Sequence, residues 1–194
     1  MSTNGKLVMV AGVQFDATAD AVWDKALALL ATRFDSVLHV CHVIRRESIA
    51  GEVEEEVSPF DVAMEKLHAW VIEKAGSEEA PVCKQIHLEV AIGDPAQEIL
   101  QTAIDVDADL VIVGTHAKGS VTRLVLGSVA DAVVRGGACS VLVARPADFT
   151  GKHKSPAIGP SPEPGHKAYH PHPAARRSMD FATYTAGLSS TAVR

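Results

Sequence analysis

The chain has 194 residues, 47% of them hydrophobic, and a formal net charge of −6. That is enough apolar material for one good core with an appendage. The charge offers no general electrostatic case for nucleic acid or an anionic membrane surface. No apolar run approaches the ~20 residues that a membrane-crossing helix needs. Met1–Lys6 lacks the charged stretch and long apolar run of a secretory signal, so a cytoplasmic location is expected. Cys41, Cys83 and Cys139 are scattered, without a CxxC pair, which indicates neither a disulfide framework nor a zinc site.

Leu7–Val13 is an apolar run interrupted only by Gly12, and reads as a first, central strand. After the loop Gln14–Thr18, Val22, Ala26, Leu29 and Leu30 fall at helical spacing, predicting a helix to about Arg33 with Asp16 or Thr18 as its cap. Val37–Val43 is the second strand. His39 and His42, three apart on it, face opposite sides and cannot share a metal. Arg45–Val57, with Glu52 and Glu54–Glu56, reads as a solvated loop. Ser58-Pro59 begins a helix with the apolar stripe Ala63, Leu67, Trp70 and Val71, ending at Gly76. Gln85–Val90 alternates polar and apolar residues, which predicts a strand with one covered face at the edge of the sheet. Asp94 then caps a helix with Pro95 in its first position and Gln97 completing a capping box. Ile99, Leu100, Ala103 and Ile104 form its core face.

The most informative stretch is Asp109 to Arg145. Leu110–Val113 suits a strand buried on both faces, Gly114 ends it, and a polar loop Thr115–Ser120 follows. Gly127 and Ser128, the latter as N-cap, open a helix over Val129–Val134 that Gly136 and Gly137 stop, and Ser140–Ala144 is a fifth strand. Glycine lets backbone N–H groups approach an anion closely, and the first N–H groups of a helix lack partners and carry partial positive charge. Phosphate binding and plain turn-making are both compatible with that spacing. Strands alternating with helices imply an α/β fold with a five-stranded parallel, doubly wound sheet, though periodicity leaves the strand order open.

Gly114, two residues, Ala117, nine residues, then Gly127-Ser128 resembles the nucleotide-binding signature of the universal stress proteins. In that signature the position of Ala117 is a second glycine. Leu124–Ala130 (LVLGSVA) and Gly93–Leu100 (GDPAQEIL) are also similar to the family's wording. The resemblance covers residues 5–146 and implies the flavodoxin-like order 3-2-1-4-5, shared with the adenine nucleotide alpha hydrolases. Ligands on such sheets bind beyond the carboxyl ends of the strands at the switch point, here between the first and fourth.

The resemblance implies an adenine nucleotide, ATP with or without Mg²⁺, as ligand. It implies contacts from Val13 and Gln14 after the first strand, from the backbone of the second strand at Val40, and from Gly114, His116, Ala117, Lys118, Gly127, Ser128 and Val129 around the phosphates. Gln14 stands where the family usually has Asp. If Ala117 takes φ > 0, its Cβ costs on the order of 1 kcal/mol, about five- to tenfold in affinity. Lys118 and Arg123 offer compensating cations. The implied role is a stress-response regulator acting as a homodimer through Ser140–Ala144 on an unidentified protein partner. The alternative is a dimeric interaction protein of the same fold that binds no nucleotide. An apolar strand at a sheet edge invites pairing in either case.

No catalytic residue is assigned. His116 has no base–nucleophile partner in reach of sequence reasoning, and slow ATP hydrolysis stays open. GxxxxGK[ST] and GxGxxG are absent, as is the acidic pair of a receiver domain after the first strand. After Arg145 the chain turns rich in Pro, Gly, Ser and His, so residues 147–194 are expected to be a disordered or loosely attached tail. Within it, Met179–Leu188 is the one candidate for a short docking element. His166, His170 and His172 lack fixed spacing for a metal, and no metal site is assigned.

Overall fold

A computed structural model describes residues 6–32, 35–48, 58–76, 85–115, 126–146 and 176–180. Its elements alternate as expected: β1 (Val8–Val13), α1 (Ala17–Leu30), β2 (Val37–Ile44), α2 (Pro59–Ala75), β3 (Ile86–Ile92), α3 (Pro95–Asp105), β4 (Leu110–Gly114), α4 (Ser128–Gly136) and β5 (Ser140–Ala144). A further strand, β6 (Arg176–Asp180), comes from the tail. The sheet runs β5-β4-β1-β2-β3-β6. The first five strands are mutually parallel in the order 3-2-1-4-5, and β6 is antiparallel to β3.

Central strands carry apolar residues on both faces because both faces are covered. Met9, Ala11, Val13, Leu38, Val40, Ile86 and Leu88 pack with α1 and α2 in one core. Val10, Cys41, Val43, Val111 and Val113 pack with α3 and α4 in the other. Fully buried side chains such as Met9, Leu38 and Ile86 each contribute roughly 1.5–3 kcal/mol by leaving water.

Helix ends follow local chemistry. Asp16 caps α1, its Oδ1 accepting from the Thr18 N–H at 2.9 Å and from the Thr18 hydroxyl. Asp94 caps α3 by accepting from the Ala96 and Gln97 N–H groups at 3.1 and 3.0 Å. Gly76 ends α2 in the left-handed region at φ 84°, which glycine adopts without a Cβ penalty.

Four expectations need correction. The first helix stops at Leu30, short of Arg33. Gly127, not Ser128, is the N-cap of α4, and Ser128 is its first helical residue. β3 is not an edge, because β6 pairs with it over five rungs, from His87↔Asp180 to Ala91↔Arg176. Its alternating pattern marks a buried polar cluster rather than a wet face. Glu89 is only 7% exposed, and its Oε1 meets His39 Nδ1 at 2.9 Å and accepts from the Ser178 hydroxyl at 2.7 Å. Finally, the tail is structured at Arg176–Asp180; its other residues, His166, His170 and His172 among them, lie outside the described residues.

Candidate functional site

The strand order leaves β1 flanked by β2 on one side and β4 on the other, with chain crossings departing in opposite directions. Such a switch point opens a crevice at the carboxyl ends of the strands. Its floor is Val13-Gln14-Phe15 leaving β1 and Gly114-Thr115 leaving β4. The two exits are adjacent, since Gly12 and Val113 form the last paired rung before them. The N-terminus of α4 supplies the third part.

Val13 is buried, Gln14 is exposed, and Phe15 turns the chain at φ 56°, a conformation rare for a bulky residue. Phe15 is held there by its neighbours. Its ring lies 4.4 Å from that of His42 and edge-on to Trp70 at 6.2 Å, with Lys66 Nζ 4.5 Å from its centroid. Trp70 in turn meets Trp23 edge-on at 5.4 Å. His42 Nδ1–H donates to the Val13 carbonyl at 3.0 Å, tying β2 to the exit of β1. Burial holds the His42 pKa below its ordinary value, outweighing that hydrogen bond, and the Lys66 charge adds to the lowering.

Gly114 is required by close packing. A Cβ there would stand 2.8 Å from both Cβ and Oγ1 of Thr18 in the first turn of α1. The Thr115 N–H donates to the Ala144 carbonyl at 3.0 Å, fixing the β4 exit against β5. At the start of α4, Gly127 is extended at φ −60°, ψ 156°, and as the N-cap residue it has no side chain to cap the helix. The Gly127 carbonyl accepts from the Asp131 N–H at 2.9 Å, which closes the first helical turn. Among the described residues, a Cβ on Gly127 would meet nothing within 4 Å. Ser128 is exposed and Val129 half-buried.

Val13 and Gln14 thus leave β1 beside Gly114 at the end of β4, while Gly127, Ser128 and Val129 open α4, the next described element in the chain. Val40 is not at the edge. It pairs with Ala11 and Leu88 in mid-strand, its side chain is buried, and the β2 residue level with Val13 is His42. His116, Ala117 and Lys118 lie outside the described residues, as does Arg123. Sequence reasoning missed the Phe15, His42 and Trp70 cluster, because contacts between a loop, a strand and a helix far apart in sequence leave no spacing signal. Asp16 was legible as a cap, and its Oδ1 accepts from the Thr18 N–H and hydroxyl in that role. Among the described residues, no group of three or more His, Cys, Asp or Glu side chains is arranged to hold a metal ion. None of the described helices is long and apolar enough to cross a membrane.

Fold and site together define a doubly wound α/β protein with a switch point between β1 and β4, built from one mostly parallel sheet between two helical layers. The chain belongs to the universal stress protein family, whose family model matches residues 8–145. It is 30% identical over 129 residues to a universal stress protein of Methanocaldococcus jannaschii, covering 60% of this chain and 69% of that protein. It is 31% identical over 150 residues to a putative universal stress protein of Staphylococcus saprophyticus, covering 71% of this chain and 86% of the other. Among solved structures, a universal stress protein in complex with cAMP superimposes with TM-score 0.51 at 22% identity, covering 73% of this chain and 98% of its own. The fold is therefore that of the family.

Proposed function

We propose that the chain binds an adenine nucleotide, ATP in particular, in the β1–β4 crevice and acts as a dimeric regulatory protein in a stress response. The observation that carries this reading is the start of α4, where the N-cap is a glycine without a capping side chain and a Cβ would meet no described atom within 4 Å. Its first N–H groups are donors without intrahelical partners, and the helix dipole favours negative charge there. Membership of the family and the cAMP held by a protein of the same fold support an adenine nucleotide as the ligand.

In this reading, backbone N–H groups at Ser128 and Val129 and the Ser128 hydroxyl meet phosphate oxygens, joined by the loop carrying His116, Ala117 and Lys118. Gln14 is exposed at the β1 exit and offers its amide to the sugar or base. The adenine contacts come from the carboxyl end of β2, at His42 and beyond, rather than from Val40. Mg²⁺ enters with ATP, held by the phosphates. No step of chemistry is assigned to the chain; its work is binding, with phosphate ordering the β4–α4 connection and so changing the surface offered to a protein partner.

The test is calorimetric titration of nucleotide-stripped protein with Mg-ATP, repeated on an Ala117→Gly variant. Binding by the native chain, strengthened in the variant by about five- to tenfold as the Cβ penalty is removed, is the expected result. Silence in both proteins overturns the nucleotide reading. One specific feature favours the alternative of a dimer without nucleotide: Gln14 replaces the acidic residue that the family usually places after β1. Under that alternative β5, which forms one edge of the sheet with Val141, Leu142 and Val143 half-buried, remains the dimer surface.

A further inference from the structure

The family match ends at Arg145, yet the sheet continues to a sixth strand whose first residue is Arg176. β6 is the one antiparallel strand of the described sheet, only five residues long, and stands outside the doubly wound unit. Four contacts seat it, and they alternate between the two faces of the sheet as strand geometry requires. On the α2 side, Met179 packs against the core that contains Leu67, Ile86 and Leu88. On the same side Arg177 pairs with Asp61 in the first turn of α2, its guanidinium 5.3 Å from the Phe60 ring centroid. On the opposite side the Ser178 hydroxyl donates to the buried Glu89 carboxylate at 2.7 Å, and Asp180 stands opposite His87 in register. Backbone pairing supplies general affinity for an extended chain, while side chains taken alternately by the two faces supply selectivity.

We propose that the outer edge of β3 is a docking site for an extended peptide, and that Arg176–Asp180 is its ligand, carried on the same chain. Lifting β6 leaves an acceptor for a free peptide running antiparallel to β3. That peptide has a cation opposite Asp61 and Phe60, then a small hydroxyl residue opposite Glu89, then an unbranched apolar residue entering the core. Tethering favours the chain's own segment through its high effective concentration, so an outside peptide binds only once that segment is released. An unpaired β3 edge is also a hazard for edge-to-edge association, which the tethered strand covers.

The experiment is hydrogen exchange on the full-length chain and on an Arg177→Glu/Met179→Asp double variant. The probe is a synthetic peptide of residues Ala174–Ala182, with the same two replacements in a control peptide. The variant should lose protection at the β3 amides facing β6 by about tenfold or more, while β1 and β4 stay protected, as expected of a locally detachable unit. The native peptide should restore β3 protection in the variant, and the control peptide should not. Unchanged β3 protection in the variant overturns the proposal. So does loss that spreads to β1 and β4, which makes β6 an integral part of the sheet, and so does failure of the native peptide to restore protection.

Discussion

Gly114 and His42 show how single residues hold the crevice in shape. A Cβ at Gly114 would press on Thr18, whose hydroxyl and N–H both engage the Asp16 cap, so the overlap cannot be relieved by turning one side chain. Gly114→Ala is expected to cost about 1–3 kcal/mol, the range for overpacking a fitted site, read by urea denaturation. His42 acts through its protonation. Its folded-state pKa is lowered by burial, so the unfolded chain binds the proton more tightly. The stability His42 contributes is present at neutral pH and is lost as pH falls below its ordinary value of 6.5 towards the lowered one. His87 is lowered too, by burial and by the neighbouring His39 ring stacked 4.8 Å away, and adds a loss of the same sign. In a His42→Asn variant, whose amide can still donate to Val13, stability should fall less steeply below pH 6.5. An unaltered slope in denaturation series across that range would assign the loss elsewhere.

At the scale of elements, the start of α4 serves either the helix or a ligand. A serine in the N-cap position would accept from the N–H groups of the second or third helical residue, Val129 or Ala130, the former being one of the donors proposed to meet phosphate. Gly127→Ser is therefore expected to stabilise the domain by a few tenths of a kcal/mol, since glycine is already a tolerated cap. The same change should weaken Mg-ATP binding by competing for those donors. Thermal unfolding and calorimetric titration of the one variant read the two effects, and tighter nucleotide binding would show that the α4 donors are not used. By contrast, α1 and α3 begin with Asp16 and Asp94, whose carboxylates occupy the equivalent donors. The N-cap residues of α2 and α4, Ser58 and Gly127, make no such side-chain hydrogen bond.

For the whole molecule, the two edges of the sheet are treated differently. β3 is covered by β6, drawn from beyond the family domain, while β5 ends the other side with its apolar residues half-buried. Under the proposed dimer, Val141→Lys places a charge in a face that pairing would cover; because Val141 also packs on the α3–α4 core, thermal unfolding is used to establish that the variant is folded. Sedimentation should show the native chain as a dimer and the variant shifted to monomer at the same concentration. A native chain that sediments as a monomer throughout would remove β5 as an interface.

Much of this architecture was legible in residues close together along the chain. Apolar runs at Leu7–Val13, Val37–Val43, Leu110–Val113 and Ser140–Ala144 located the strands, because a strand covered on both faces must be apolar on both. Asp16, Asp94, Pro95 and Gly76 marked helix ends, because caps are satisfied within a few residues. The 114–128 spacing, with LVLGSVA and GDPAQEIL, carried the resemblance to the universal stress proteins, and the family model matches residues 8–145. Contacts between distant segments were not legible. Only the folded chain placed Thr18 against Gly114, His42 rather than Val40 level with Val13, and the Phe15 ring among His42, Trp70 and Lys66. The same holds for β6: the alternation in Gln85–Val90 records that one face of β3 is polar, and water or the buried Glu89–Ser178–His39 cluster would satisfy it equally. Up to Ala144 the sequence by itself determined which segments are strands and helices, through local periodicity and capping; the strand at Arg176–Asp180 was not among them. Only the tertiary structure decided which segments meet, because that depends on packing and hydrogen bonding between residues far apart in the chain.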